Sequence, residues 1–219
     1  MDIPITSIKP HYPPPTHNDK SIPESSSIQK TLKFLHLNPH PEGGYYSETD
    51  RHPLRIPNPY CDDKDHHKTV TEQENEQSTR SASTTIFYYL TPQSSLGHFH
   101  RNRSRTVHTL HRGRGRYVII HADQAERNGG KAPIESFVVG HRIEKGERLQ
   151  WIVDGGKYKS SYLLPDSDGD ENESEGLLIS ETVVPGFEFY DHDFLTAERM
   201  EQLLTPDQIR ELKWMVREN

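Results

Sequence analysis

The stretch SSLGHFHRNRSRTVHTLHRG, from Ser94 to Gly113, places four histidines within fourteen residues and decides the fold. His98 and His100 lie two positions apart in a strand-like run, so a regular β-strand would direct both rings to the same face. His108 and His111 follow after a polar turn that is rich in arginine. Imidazoles on neighbouring strands predict a β-barrel whose lumen holds a metal or a small ligand.

Short strand-like segments continue along the chain after this stretch. They are rich in β-branched and aromatic residues and are separated by turn residues rather than by helical patterns. Seven or eight short strands at near-even spacing are typical of an antiparallel sandwich or barrel. Beside the histidine stretch, the predicted strands lie at residues 81–90, 116–122, 134–139, 147–153, 158–164 and 177–184, with a further strand near Tyr45.

Helices are predicted at both ends of this strand-rich region. The run SIQKTLKFLHL at residues 27–37 carries apolar residues at helical spacing, with Ser26 or Ser27 available as its N-cap. Near the C-terminus, Thr196 and Thr205 each precede a helical pattern, the second with proline at its first position. The apolar side of the last helix is expected to dock on its own barrel or on a partner subunit.

The composition divides the chain into one domain and several polar segments. Residues 1–26 are rich in proline and serine, which predicts a flexible N-terminal tail. Residues 27–219 have the length of a single domain. Mobile insertions are predicted near residues 52–80, which contain three prolines, and near the acidic residues 165–176.

Charge and cysteine content limit the partners and the compartment. A formal net charge of −7 at pH 7 predicts that the protein binds no nucleic acid and no anionic membrane. One cysteine, Cys61, excludes an internal disulfide and suits a reducing compartment. The sequence contains neither a secretory signal nor an apolar run long enough to span a membrane. We therefore expect a cytoplasmic protein, with a nuclear location as the alternative. A local basic run either forms salt bridges at a solvated edge or attracts an anionic ligand to the histidine site. Its residues are Arg101, Arg103, Arg105, Arg112, Arg114 and Arg116.

Five sequence motifs resemble one known family. The segment GHFH at 97–100, followed by a turn, a second strand and Gly113, resembles the first signature of the cupin superfamily. The motifs HPEGGYYSE, STTIFYYL, GERLQWIVDGGKYKSSYLL and VVPGFEFYDHDFL, in that order, are similar to the small single-domain "cupin-5" group of unknown function, and most of all to its fungal branch. The resemblance covers residues 28–195 apart from the two insertions. It implies an all-β fold, the antiparallel double-stranded β-helix or cupin jelly-roll barrel, usually as a homodimer, and no established reaction.

The resemblance also implies a metal site from which this chain departs. The superfamily's first signature supplies two histidines and a glutamate, and the second signature supplies one more histidine. His98 and His100 match the first pair, but Thr106 stands at the glutamate position and Lys159 at the fourth position. Two of the four expected ligands are therefore absent. Two alternatives therefore remain. The protein binds a divalent metal weakly through His98 and His100, with His108 as a third imidazole, or it has no metal cofactor.

An organic ligand is the other use of such a lumen. Proton donors and acceptors predicted to face it suit enolisation or epimerisation next to a carbonyl. The lumen candidates are His98, His100, His108, Gln150, Tyr158 and Lys159, with Glu42 as the nearby carboxylate. Glu42 alternatively braces the Gly43–Gly44 turn or pairs with an arginine. We therefore expect a small-molecule-binding cupin with a polar ligand, sugar-like or anionic. The alternatives are an isomerase or epimerase working by general acid–base catalysis, a metal-dependent oxygenase and a dimerisation scaffold.

Overall fold

Two antiparallel sheets form the body of the protein. The structure, a computed structural model, describes residues 5–12, 23–60, 78–166 and 174–218. The strands, in chain order, are β1 (Asn38–Pro39), β2 (Tyr45–Arg51), β3 (Arg55–Pro57), β4 (Thr79–Ser81), β5 (Thr84–Leu90), β6 (Leu96–Arg101), β7 (Arg105–Arg112), β8 (Gly115–Ile120), β9 (Ile134–Val139), β10 (Gln150–Val153), β11 (Tyr158–Leu163), β12 (Leu177–Val184) and β13 (Asp193–Phe194).

The strand order is that of a jelly roll. One sheet has the order β1-β2-β5-β12-β7-β10, and the other has the order β13-β6-β11-β8-β9. All pairings between these strands are antiparallel. The predicted all-β jelly roll, with a strand near Tyr45 added, is confirmed.

Side-chain alternation along the strands builds the interior of the barrel. In β7, Thr106, His108 and Leu110 are buried while the residues between them are more exposed. In β10, the inward residues are Trp151 and Val153. Leu110, Trp151 and Val153 join an apolar cluster that fills one part of the space between the sheets, with Tyr88, Leu90, Tyr117, Ile119, Phe137, Val139, Leu163, Leu177 and Ile179.

The C-terminal helices cover the outer face of the five-stranded sheet. Helix α2 (Ala197–Leu203) follows the N-cap Thr196 and helix α3 (Pro206–Leu212) follows the N-cap Thr205, as the sequence predicts; Thr205 also forms a capping box with Gln208. Their buried residues pack against Phe99, Val118 and other outward side chains of β6, β8 and β11. The last helix therefore docks on its own barrel.

The N-terminal segment differs in part from the predicted flexible tail. Residues Ile5–Ser7 form a 3₁₀ helix, and Ile8 is buried against the same outer cluster as the C-terminal helices. The spacing of Ile5 and Ile8 gives this short segment an apolar side, which explains its packing. Helix α1 (Ser26–Phe34) then begins with Ser25 as its N-cap, one residue before the predicted caps.

The predicted insertions lie mostly outside the described residues. The ends of the first insertion form a two-stranded ladder between β3 and β4, where the sequence predicts a loop. Residues 61–77, which include Cys61, and 167–173 are not described. Among the described residues, no helix is both long and apolar enough to cross a membrane.

Candidate functional site

A β-bulge in β6 separates the two histidines of the GHFH motif. Gly97 pairs with Ser161 and His100 pairs with Lys159, so three steps along β6 match two steps along β11. The extra residue breaks the alternation of side chains at this point. His100 therefore faces the lumen, but His98 does not share its face.

The His98 ring lies against the C-terminal segment instead. It hydrogen-bonds to the backbone of Met215, and the charges of Arg217 and Glu218 affect its pKa more than Glu42 does. Burial lowers the pKa of His98. The prediction that His98 and His100 share one face is wrong, because it assumes regular pleating across the bulge. Phe99 points into the outer cluster, as predicted.

Glu42 is the centre of a buried histidine cluster at the lumen. Its Oε1 lies 2.7 Å from Nε2 of His192, which donates the hydrogen bond. Its Oε2 lies 3.2 Å from Nε2 of His100 and 3.6 Å from Nδ1 of His40. The rings of His100 and His192 also stack, with their centroids 5.5 Å apart. The HPEGG turn therefore delivers a carboxylate to three imidazoles rather than to an arginine.

Burial and charge set the protonation of this cluster. Burial alone raises the pKa of Glu42, but His100, His192, His40 and Lys159 outweigh it and hold this pKa at about 2. Burial lowers the pKa of His100 to about 4, although Glu42 opposes the change. Burial also lowers the pKa of His40. At neutral pH the cluster is thus a carboxylate with neutral His40 and His100 rings.

Lys159 lies at the centre of a second cluster in the lumen. Its Nζ donates to Oε2 of Glu181 at 2.6 Å and to Nε2 of His108 at 2.8 Å. The His108 ring is fully buried and stacks on Trp151, with their centroids 5.2 Å apart. Lys159 also affects the pKa values of Glu42 and His100, so the two clusters share one electrostatic environment.

The protonation of this second cluster follows from the lysine. Burial alone raises the pKa of Glu181, but Lys159 and His108 hold it well below its usual value. Burial, and then Lys159, lower the pKa of His108, with Glu181 opposing them. Lys159 therefore donates to a carboxylate on one side and to the lone pair of a neutral imidazole on the other.

Two predicted lumen residues face away from the lumen. Gln150 is exposed on the outer face of β10 and donates from Nε2 to Oγ1 of Thr109. Trp151 takes the inward position because a large indole is buried in preference to an amide. Tyr158 points into the outer cluster and donates its hydroxyl to Asp193. Because Tyr158 and Lys159 are adjacent in β11, only one of them can face the lumen.

Sequence reasoning did not single out three side chains of these clusters. Glu181 occupies an inward position of β12 between Ile179 and Val183, and an isolated glutamate at buried parity is a signal that could have found it. His40 and His192 lie in the HPEGG and YDHDF motifs, outside long strands. Their approach to Glu42 depends on tertiary contacts, which strand periodicity does not report.

The residues present do not fit the four-ligand metal centre that the resemblance implies. His98 is turned away by the bulge, and Thr106, at the glutamate position, accepts a hydrogen bond from Asn102. The Lys159 ammonium lies at the fourth position and repels a metal cation. In the part of the chain that the structure describes, no three His, Cys, Asp or Glu side chains are arranged to hold a metal ion.

Space for a small molecule borders the Glu42 cluster. The side chains of His40, Glu42, His100 and His192 keep between 9 and 15% of their surface accessible. His192 also lines a cavity of about 340 Å³ at the mouth of the barrel. The other lining residues are Arg101, Asn102, Arg103, Gly156, Tyr190, Asp191 and Asp193. His192 thus connects this cavity to Glu42.

A jelly-roll barrel with polar side chains in its lumen is the architecture of the cupins, one of several jelly-roll classes. The model of the family described as "Cupin superfamily (DUF985)" matches residues 29–195. The chain belongs to this family.

Relatives support the assignment without naming a reaction. The uncharacterised protein YML079W of Saccharomyces cerevisiae is 40% identical over 191 residues, which cover 87% of this chain and 86% of the yeast protein. The solved structure of a hypothetical protein from Leishmania major is 31% identical, with a TM-score of 0.66, over 87% of this chain and 98% of that one. Protein SO0799 from Shewanella oneidensis, 19% identical with a TM-score of 0.63 over 90% and 100% of the two chains, shares the fold.

Proposed function

We propose that this cupin binds a small polar molecule in the barrel lumen, beside Glu42 and Lys159. The observation that carries the proposal is the largely buried cluster of His40, Glu42, His100 and His192, whose side chains keep a small accessible surface. His192 connects this cluster to the cavity at the mouth. A barrel that served only as a scaffold would gain more stability from apolar side chains at these positions, because buried charges require partners.

The co-purifying small molecules of the purified full chain test this proposal. Mass spectrometry of the denatured protein is expected to find one organic molecule per chain. A Lys159→Met variant is expected to lose this molecule. The matched control is Gln150→Ala, which changes an exposed side chain on the outer face and is expected to retain it.

Two results would contradict the proposal. One is a wild-type protein that carries nothing above the solvent blank. The other is a folded Lys159→Met variant that retains the molecule at the wild-type level. Because the lysine variant removes a buried charge, Glu42→Gln serves as a milder second variant, and circular dichroism establishes that each variant is folded.

The second candidate function is an isomerase or epimerase that works by general acid–base catalysis. The observation that favours it is the neutral His100 ring with Nε2 at 3.2 Å from the Glu42 carboxylate. A neutral imidazole can accept a proton from carbon next to a carbonyl, and the adjacent carboxylate would stabilise the imidazolium that forms. Lys159 would supply a positive charge for the developing enolate oxygen.

Solvent exchange tests this second candidate. Incubation of hydroxy-carbonyl compounds with the protein in D₂O is expected to replace the hydrogen next to the carbonyl, as followed by proton NMR. His100→Asn is expected to abolish the exchange, and Gln150→Ala is expected to leave it unchanged. Equal exchange by wild type and His100→Asn would rule out His100 as the base.

A further inference from the structure

The hydrogen bonds of His100 fix its tautomer. Nδ1 of His100 lies 2.8 Å from the carbonyl oxygen of His98, which can only accept, so Nδ1 carries the proton. In the neutral ring, Nε2 therefore has a lone pair. This lone pair faces Oε2 of Glu42 at 3.2 Å. Two acceptors thus face each other with no proton of their own between them.

His40 adds a third acceptor at the same oxygen. The backbone N–H of Glu42 donates to Nδ1 of His40 at 3.2 Å, so this nitrogen also has a lone pair in the neutral ring. It lies 3.6 Å from Oε2 of Glu42. His192 donates to the other carboxylate oxygen, Oε1. Over the described ranges, no hydrogen-bond donor reaches Oε2, and the three acceptors call for a donor from outside the chain.

Lys159 offers the complementary donor. An ammonium has three N–H groups, and the contacts with Glu181 and His108 use two of them. Among the described residues, Nζ makes no third hydrogen bond, so its remaining N–H lacks an acceptor from the protein. A molecule between the two clusters would thus donate towards Glu42 and accept from Lys159.

The charge of the site selects between a neutral molecule and an anion. Glu42 and Glu181 are ionised, whereas burial lowers the pKa of His40, His100 and His108. The two carboxylates and the single ammonium of Lys159 together leave one excess negative charge on these three side chains. At the mouth, Arg101 pairs with Asp193 at 2.8 Å and Arg103 lies 3.8 Å from Asp191, so carboxylates already partner these two arginines.

We infer that the lumen ligand is a neutral molecule with adjacent hydroxyl groups, of the sugar or polyol class, and not a carboxylate or phosphate. A hydroxyl group both donates and accepts. One hydroxyl can therefore donate to Oε2 of Glu42, while the adjacent hydroxyl accepts from Lys159. The excess negative charge disfavours an anion next to Glu42. This inference rests on the proposed function, because it names the class of molecule that the same site binds.

Binding of matched neutral and charged sugars to the full chain tests the inference. Calorimetry and saturation-transfer NMR at pH 7 would compare neutral hexoses and pentoses with the corresponding sugar phosphates and uronic acids. At least one neutral sugar is expected to bind with a Kd below about 1 mM, and its charged counterparts about tenfold more weakly. Glu42→Gln is expected to weaken the neutral sugar about tenfold, whereas Gln150→Ala is expected to have no effect.

A measurement without ligand gives an independent check. Nitrogen-15 NMR of the histidine rings at pH 7 is expected to show His100 protonated at Nδ1 and unprotonated at Nε2. A doubly protonated His100 would overturn the inference, because Nε2 would then donate to Glu42 directly. Charged sugars that bind more tightly than neutral ones, or a panel in which no neutral sugar binds, would overturn it as well.

The inference and the proposed function fail in distinguishable ways. If mass spectrometry finds a co-purified anion, the lumen is a binding site but the neutral class is wrong. If nothing co-purifies and no sugar binds, both are wrong.

Discussion

Lys159 and Glu181 form an ion pair across the lumen of the barrel, with Nζ 2.6 Å from Oε2. Lys159 belongs to β11 in the five-stranded sheet, and Glu181 belongs to β12 in the six-stranded sheet. The contact therefore connects the two sheets through the interior, beside the apolar cluster that otherwise joins them. A pair buried to this degree depends on both partners, because a single remaining charge would lack compensation.

Removal of one partner should destabilise the fold. Lys159→Met leaves Glu181 buried without its cation, and we expect the free energy of unfolding to fall by about 3–5 kcal/mol. The double variant Lys159→Met/Glu181→Gln should recover part of this loss, because it removes the uncompensated charge. Urea denaturation of both variants measures the difference. A single variant as stable as wild type would contradict the assignment of a buried, ionised pair.

Acidification should destabilise the protein before its carboxylates titrate. The pKa of His100 is about 4 in the folded protein, against 6.5 for an unperturbed histidine. Between pH 6.5 and 4 the unfolded chain binds a proton that the folded chain does not, so stability falls as pH decreases, by about 3 kcal/mol from this residue. Urea midpoints across this range measure the slope, and His100→Gln should reduce it. An unchanged slope in this variant would show that His100 is not the titrating group.

The two histidines of the GHFH motif should have different roles. His100→Ala removes a lumen side chain and is expected to abolish retention of the co-purified molecule. His98→Ala removes a ring that contacts Met215 and is expected to leave retention unchanged. Mass spectrometry of the two purified variants checks the contrast. Equal loss in both would favour a lumen position for His98.

The outer cluster should contribute more to stability than exposed aromatic residues. Phe99 is fully buried, and Phe99→Ala is expected to lower the free energy of unfolding by about 3–5 kcal/mol. Phe34 is 73% exposed, and Phe34→Ala serves as the matched control, with an expected change within about 0.5 kcal/mol. Chemical denaturation measures both values. A small effect at Phe99 would mean that the C-terminal helices contribute little to the fold.

The edge of the six-stranded sheet should form a homodimer contact. Strand β10 lies at this edge, and its outward residue Ile152 and the neighbouring Leu149 are 45% and 43% exposed. Unpaired edges with exposed apolar side chains favour association. Light scattering is expected to show twice the chain mass at micromolar concentration, and Ile152→Lys is expected to give the monomer. A monomeric wild type would contradict the expectation.

Much of the fold could be predicted because its signals are local. Alternation and turn residues mark the strands, and Thr196 and Thr205 cap the helices through neighbouring backbone groups. The same alternation brings His100, His108 and Lys159 into one lumen. The packing of Ile5 and Ile8 is not predicted, because prolines and serines dominate the composition around them.

The rest of the site depends on non-local contacts. Whether β6 is regular depends on its pairing with β11, and the sequence of β6 alone does not report the bulge. His40 and His192 reach Glu42 from segments without strand periodicity. Gln150 and Tyr158 were misplaced because Trp151 and Lys159, their neighbours in the chain, occupy the inward positions.

The bulge in β6 also shows how one inserted position can change the chemistry available to a barrel without replacing a histidine. His98 and His100 keep the two-residue spacing of the cupin signature, yet only the His100 ring lies in the interior. Regular pairing of β6 with β11, without the bulge, would return the two imidazoles to one face of the sheet at their present spacing. The pairing of a strand, and not residue identity alone, is thus a variable through which this scaffold could be redesigned towards coordination chemistry.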